Sequence, residues 1–328
     1  MKKYNNPVKI IYTNDWELEL KKIIKSLKVA NPILVTSEGN RKRNNLDLII
    51  DPNSIFSDVK SNPTFDDCSK IIKFCNNKEF DSVIALGGGS AMDLSKVAIA
   101  YLSVKKSNII DLINYKKNYI DDIPSIFLPT THGTASEVTM WGTLWDMREK
   151  KKYSISHPSL YPNFAIIDPH LTLGLPLDLS ITTTMDALSH SFESIWNKNS
   201  NSTSTEYAIS AISLILNNVQ TLQSNLDNLN TRRNLLKAST LAGLAFSNTM
   251  TAAAHSISYP LTIKYGIPHG IASSITLIPL LKINKNFISE PLNLICNKNN
   301  LSFEELINVM QSIPKGTISY KLKDWGVR

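Results

Sequence analysis

The feature that most constrains this chain is an apolar run, Ser82-Val83-Ile84-Ala85-Leu86. It ends directly in Gly87-Gly88-Gly89-Ser90 and gives way to helix-like Ala91-Met92-Asp93-Leu94-Ser95-Lys96. A short buried strand entering a helix through glycine is the junction from which open α/β sheets are built. Glycine lets the backbone approach an anion with no Cβ in the way, and the free N–H groups and dipole of a first helical turn attract phosphate. The motif is neither the GxGxxG fingerprint nor a phosphate loop with Gly-Lys-Ser/Thr. A tight strand-to-helix turn is the simpler reading, but three consecutive glycines exceed what a turn needs.

The segments around it alternate in period. Trp16, Leu18, Leu20, Ile23, Ile24 and Leu27 follow helical spacing, Ile33-Leu34-Val35-Thr36 reads as a buried strand, and Leu46 to Ile50 as another. Phe65, Cys68, Ile72 and Cys75 mark a helix. Beyond the Ile126-Phe127-Leu128 strand, Val138–Trp145 and Tyr153–Ser156 read as two strands around a charged turn, and Ala165-Ile166-Ile167-Asp168 as the last strand. From about Pro176 the apolar residues keep helical spacing and strand signals largely vanish, which puts a change from α/β to all-helical structure near residues 169–176. A second loop after a strand, Pro129-Thr130-Thr131-His132-Gly133-Thr134-Ala135-Ser136-Glu137, is again small and hydroxyl-rich. Two such loops at the carboxyl ends of neighbouring parallel strands favour a dinucleotide over a chance turn.

The 328 residues make roughly two domains of about 150 residues each. With 42% hydrophobic and 19% charged residues, a wholly disordered chain is excluded. The longest apolar runs, such as Val97 to Leu102, fall far short of the roughly 20 residues of a membrane span. No apolar stretch of signal-peptide length follows the basic start at Lys2-Lys3, so the expected compartment is cytoplasmic. Cys68, Cys75 and Cys296 form no CxxC pair, and Cys68 and Cys75, seven apart in an apolar-periodic segment, read as buried helix thiols. The net charge of +7 suits an anionic small molecule or nucleic acid. The basic residues are scattered, however, with no aromatic-interleaved stripe, so no nucleic-acid role is expected.

Six histidines occur, at 132, 157, 170, 190, 255 and 269. Asp186 and His190 stand at i, i+4 in a segment of helical character, so carboxylate and imidazole share a face and can converge on one cation. His255 lies in a stretch of small residues where a histidine is expected to be buried, and His269 sits between Pro268 and Gly270. One carboxylate with three imidazoles suits Fe²⁺ or Zn²⁺ and leaves room for a substrate oxygen. By spacing alone, His190 also fits an ordinary surface pair with Asp186, and His255 a satisfied core histidine.

Together these motifs resemble the iron-containing alcohol dehydrogenase family. The resemblance is carried in order by Gly87-Gly88-Gly89-Ser90 with Asp93 and Lys96, Pro129-Thr130-Thr131 through Gly133-Thr134 and Ser136-Glu137, and Ala165-Ile166-Ile167-Asp168-Pro169. It continues with Asp186-Ala187-Leu188-Ser189-His190, then His255, then Ile267-Pro268-His269-Gly270. It implies a Rossmann-like α/β dinucleotide-binding domain over 1–169 and an all-α metal-binding domain over 170–328, the dehydroquinate synthase-like fold, with metal and nicotinamide meeting in the cleft between them. Asp186, His190, His255 and His269 take the metal-ligand positions. Gly88, Gly89 and Ser90 take the pyrophosphate positions, with Gly87 and Asp93 of the same motif. Thr130, Thr131 and Thr134 match the cofactor-contacting loop, and Lys152 falls where the family has a lysine beside the nicotinamide ribose. The implied activity is reduction of an aldehyde to a primary alcohol by NADH or NADPH with Fe²⁺ or Zn²⁺ as Lewis acid.

Where many members carry a further histidine four residues after the third ligand, as a proton relay, this chain has Tyr259, a weaker proton donor near neutrality. Where NAD-preferring members place an aspartate, it reads Ser37-Glu38-Gly39-Asn40 followed by Arg41-Lys42-Arg43, which leans toward NADPH. Within the family, Trp141-Gly142-Thr143-Leu144-Trp145-Asp146, Lys152-Tyr153-Ser154, Leu160-Tyr161-Pro162, Ser194-Ile195-Trp196-Asn197 and Ser256 to Thr262 are most similar to phosphonoacetaldehyde reductases, which make 2-hydroxyethylphosphonate. Arg148, Lys151 and Lys264 are candidate partners for such an anion, or ordinary surface charges. The alternatives are a general short-chain alcohol or diol dehydrogenase of the same family, a dehydroquinate synthase-type lyase and a non-enzymatic binding protein. A homodimer is compatible with the resemblance, and no membrane partner is expected. Relatives continue for several tens of residues past the point reached at Arg328, so the helical domain is expected to lack its last helices.

Overall fold

Apolar runs of four to six residues become the inner strands of a parallel sheet. The computed structural model describes residues 4–76, 78–106 and 108–327, so the basic start at Lys2-Lys3 lies outside the described residues. In chain order the first elements are β1 (Lys9–Tyr12), α1 (Trp16–Leu27), β2 (Pro32–Thr36), α2 (Glu38–Arg43), β3 (Ile55–Phe56), α3 (Phe65–Asn76), β4 (Ser82–Gly87), α4 (Gly89–Val104) and α5 (Ile109–Ile113). They continue with β5 (Ser125–Pro129), β6 (Trp141–Asp146), β7 (Lys151–Ser156) and β8 (Phe164–Ile167). The sheet runs β1-β8-β5-β4-β2-β3 with its pairs parallel, and β6 and β7 form a separate antiparallel hairpin. Every residue of β4 and β5 is buried, as parallel strands covered on both faces require. α4 is apolar on all sides, and from Ala91 to Val104 every residue except Asp93 is buried.

Local chemistry sets the ends of these elements. The Asp15 side chain caps α1 by accepting from the Leu18 N–H at 3.0 Å, and the Trp16 N–H donates to Asp168 just beyond β8 at 2.9 Å. Two strand expectations need correction. Leu46–Leu48 is a 3₁₀ turn entered through Asn45 at φ 48°, and it buries Leu46 and Ile50 while Leu48 stays 87% exposed. Strand pleating would have put all three on one face; burial of the first and fifth alone is helical periodicity. The run from Val138 likewise begins as a 3₁₀ turn, Ser136–Val138, and becomes strand only at Trp141. The buried Lys96 side chain holds that turn, its three N–H donors shared among four oxygens within reach of Nζ: the Ser136 carbonyl and hydroxyl (both 2.8 Å), Thr139 Oγ1 (3.1 Å) and the Trp141 carbonyl (2.7 Å). β1 and β3, four and two residues long, carry no periodic signal and were not expected.

The remaining elements are helical: α6 (Leu177–Trp196), α7 (Ser202–Ser224), α8 (Leu229–Thr249), α9 (Ala253–Tyr265), α10 (His269–Ser274), α11 (Leu277–Asn284), α12 (Ser289–Lys298) and α13 (Phe303–Ser312). By compactness the described chain divides into an α/β unit, residues 7–130 and 136–168, and a helical unit, residues 4–6, 131–135 and 169–327. Ile181, Leu188, Phe192, Ile212, Ile215 and Leu235 lie at the centre of the helical core. Arg232 of α8 is fully buried because its guanidinium is satisfied: it donates to the Leu226 and Leu175 carbonyls and to Ser180 Oγ at 2.8–3.0 Å. Among the described residues no helix is long and apolar enough to cross a membrane.

Candidate functional site

Within the α/β unit, the chain leaves β2 toward β3 on one side and returns to β4 on the other. This reversal is the switch point at whose carboxyl-end crevice open sheets bind ligands. The glycine turn lies there. A Cβ on Gly87 would stand 2.6 Å from the Ala91 Cβ, so only glycine lets β4 enter α4 so tightly. Gly88 occupies the cap position of α4 without a capping side chain, and Gly88, Gly89 and Ser90 are half-exposed at the helix start. Thr130 donates its N–H to the Gly87 carbonyl at 3.0 Å, and the buried Asn40 of α2 reaches Thr130 Oγ1 at 3.5 Å. Ser90 Oγ accepts from the Asn62 N–H at 3.2 Å. One turn into α4, Asp93 accepts from Ser136 Oγ at 3.1 Å. Burial pushes its carboxyl up, while Lys96 and Lys152 of β7 pull it down. The cations of α2 are engaged: Arg41 with Asp47 at 2.7 Å, Lys42 with Glu38 at 3.3 Å, and Arg43 with Asn40 Oδ1 at 2.9 Å.

Within the helical unit, Asp186 and His190 share one buried face of α6, His255 projects from the first turn of α9, and His269 opens α10. One oxygen of Asp186 and one ring nitrogen each of His255 and His269 all lie within 4.8 Å of one another. Asp186 Oδ1 is 3.5 Å from His255 Nε2 and 3.9 Å from His269 Nε2. His190 stands outside that group of three. Its ring stacks on His255, centroids 4.4 Å apart, and on Phe246 at 4.1 Å. Gly270 makes the approach of α10 to α6 feasible: a Cβ there would overlap the Thr182 carbonyl and sit 3.1 Å from Asp186 Cβ.

A second layer surrounds these groups. Ser273 Oγ donates to Asp186 Oδ1 at 2.8 Å. Glu193, fully buried on α6, is 2.5 Å from His255 Nδ1 through Oε2, and its Oε1 accepts the Ala254 N–H at 2.6 Å. Sequence reasoning missed Glu193, although the 186, 190, 193 spacing puts it on the face of Asp186 and His190. Burial presses the His255 imidazolium down, yet Asp186 and Glu193 reverse this and push it up to about 10. Burial holds His190 down near 3. The surrounding imidazoles keep the Asp186 carboxyl well below the usual range despite its burial. Two buried carboxylates thus face a nest of imidazoles, and His255 Nε2 and His190 Nδ1 are buried without a hydrogen-bond partner. A divalent cation fits that donor set, and the carboxylate–imidazole mix suits iron or zinc.

The other expected residues are distributed as follows. Thr131 and Thr134 lie half-buried in the loop 131–135, which packs on α6: a Cβ on Gly133 would meet the Thr183 carbonyl at 2.5 Å. His132 of that loop is buried, its Nδ1 3.4 Å from Thr183 Oγ1 and 3.3 Å from Thr184 Oγ1. Tyr259, half-buried, stands one turn after His255 on α9. Arg148, Lys151 and Lys264 are exposed. The three cysteines are free and buried, and burial pushes the Cys75 thiol up to about 12.

Comparison with known proteins follows the same division of the chain. The model for iron-containing alcohol dehydrogenase matches residues 7–169, and that for the C-terminal part of the Fe-containing alcohol dehydrogenase family matches residues 180–320. Long-chain-alcohol dehydrogenase 1 of Geobacillus thermodenitrificans is 35% identical over 68% of this chain and 56% of its own length. Alcohol dehydrogenase 4 of Schizosaccharomyces pombe is 30% identical over 81% of this chain and 64% of its own. The matches therefore span less than two thirds of these relatives. The crystal structure of sulfoacetaldehyde reductase from Bifidobacterium kashiwanohense in complex with NAD⁺ aligns with a TM-score of 0.81 at 27% identity, covering 99% of this chain and 96% of that one.

Proposed function

The chain belongs to the iron-containing alcohol dehydrogenase family, and from that premise we propose that it is a metal-dependent NAD(P)H oxidoreductase reducing an aldehyde to a primary alcohol. The observation that carries this reading is the convergence of Asp186, His255 and His269 within 4.8 Å. These three, with His190 completing the set from the next turn of α6, would hold Fe²⁺ or Zn²⁺. When bound, such an ion supplies Lewis acidity toward a carbonyl oxygen, and NAD(P)H supplies the hydride. The chain's own groups do the rest. Gly87, Gly88, Gly89 and Ser90 offer backbone N–H groups to a pyrophosphate at the start of α4, with Asp93 one turn beyond. Thr130, Thr131, Thr134 and Lys152 contact the rest of the cofactor, and Tyr259 delivers the proton that the nascent alcohol requires.

Within that activity we assign phosphonoacetaldehyde as substrate and 2-hydroxyethylphosphonate as product. The motifs similar to phosphonoacetaldehyde reductases and the net charge of +7 support this. So does the structural likeness to a sulfoacetaldehyde reductase, whose named substrate is also a two-carbon aldehyde bearing an anionic group. The competing reading is a general short-chain alcohol or diol dehydrogenase, which the likeness to two alcohol dehydrogenases favours. Oxidation of NADPH and NADH by the purified protein with phosphonoacetaldehyde and with propanal separates them. The assignment requires kcat/KM for phosphonoacetaldehyde to exceed that for propanal at least tenfold; equal values return the general reading. For the cofactor, Ser37-Glu38-Gly39-Asn40 in place of the aspartate of NAD-preferring members leans toward NADPH, and a lower KM for NADH would reverse that choice.

A further inference from the structure

α9 begins without a cap of its own. Its cap residue, Ala252, has no side chain that can accept a hydrogen bond, although the first N–H groups of a helix have no partner inside it. Glu193, from α6, takes that place. Its Oε1 accepts the Ala254 N–H at 2.6 Å and lies 3.4 Å from the His255 N–H, a carboxylate at the positive end of the helix. Its other oxygen stands 2.5 Å from Nδ1 of the His255 ring. One buried carboxylate thus grips both the backbone that carries His255 and the far side of its imidazole. The ring nitrogen left over, Nε2, is the one that faces Asp186 at 3.5 Å.

We propose that Glu193 is a positioning residue for metal binding: by accepting from Nδ1–H it selects, for the neutral ring that a cation binds, the tautomer whose lone pair is on Nε2, and it holds that nitrogen toward the point where Asp186 and His269 converge. The inference rests on the metal-dependent reading above. An imidazole can donate its lone pair to a cation from only one nitrogen while the other carries a proton, and a partner that accepts that proton fixes tautomer and orientation together. Glutamine cannot replace this carboxylate at equal size. Its single amide oxygen can serve either the Ala254 N–H or the His255 Nδ1–H, and its NH₂ must then face the other donor. A ring that answers by accepting at Nδ1 places its proton on Nε2, where the cation would bind.

Co²⁺ is the probe, titrated into metal-free wild type, Glu193→Gln and Glu193→Asp against a competing chelator, with the visible spectrum of bound Co²⁺ recorded for each. E193Q is expected to bind 10- to 100-fold more weakly, with an altered spectrum. E193D, which keeps the charge but shortens the reach, is expected to fall between E193Q and wild type. A role limited to capping α9 would lower the melting temperature of the metal-free protein and leave Co²⁺ affinity and spectrum as in wild type, and that result overturns the proposal. If E193Q does not fold, wild-type affinity in E193D overturns it equally. Failure of wild type to bind Co²⁺ overturns the metal reading itself, whereas tight wild-type binding shared by the variants removes only the role given to Glu193.

Discussion

Gly270 directly follows His269, and a Cβ at that position would run into the Thr182 carbonyl of α6. Gly270→Ala must therefore push α10 away from the helix bearing Asp186. We expect it to cost about 1–3 kcal/mol of stability, as overpacking does, and to weaken metal binding as well, read by thermal melts and by metal content after dialysis. A variant with unchanged melting and metal content would show that α10 is not seated there. His255→Ala and His269→Ala should each lower metal content severalfold while the chain stays folded, measured by elemental analysis of purified protein. Retention of full metal and activity by both would remove them from the ligand set. At this scale the sequence was informative where chemistry is local. The i, i+4 pair of Asp186 and His190 could be read from helical spacing alone. The same spacing puts Glu193 on their face, but its role, like that of Ser273, depends on which helices meet, and that is settled by tertiary packing.

Among elements, the loop 131–135 has its own dependence on pH. His132 is buried with Nε2 lacking a hydrogen-bond partner, and burial, with Arg232 repelling the charged form, lowers it to about 3. A histidine depressed in the folded state from an unfolded value near 6.5 contributes stability that is complete above about pH 6.5 and lost as pH falls toward 3. Its share of the loss is on the order of 2 kcal/mol by pH 5. His132→Asn should flatten this part of the acid limb of a stability–pH curve, measured by urea unfolding between pH 7 and 5; a limb of unchanged slope would rule out His132 as its source. Strand and helix identities were mostly legible because the periodic runs of α1 and α3 and the continuous apolar run of β4 ending in glycine carry strong signals. The strand expected at 46–50 failed because three alternating apolar residues fit a tight turn as well as a pleat, and exposed Leu48 decides between them only in three dimensions.

Across the whole molecule, the α/β unit offers an anion-ready turn at a switch point, and the helical unit gathers a carboxylate and imidazoles fit for a divalent cation. The order of motifs along the chain made both legible, and the change near residue 169 from strands to helices made the fold class legible with them. The convergence of Asp186, His255 and His269 was not readable from spacing, since these residues come from three separate helices and only the family resemblance joined them. The substrate is read least directly, because Arg148, Lys151 and Lys264 are exposed and no motif ties them to an anion. The most direct test of metal-dependent aldehyde reduction is NADPH oxidation with phosphonoacetaldehyde, followed before chelation, after complete metal removal, and after readdition of Fe²⁺ or Zn²⁺. The account predicts turnover that falls by at least a hundredfold in the stripped protein and returns with the ion; undiminished turnover in protein shown by elemental analysis to be metal-free would contradict it.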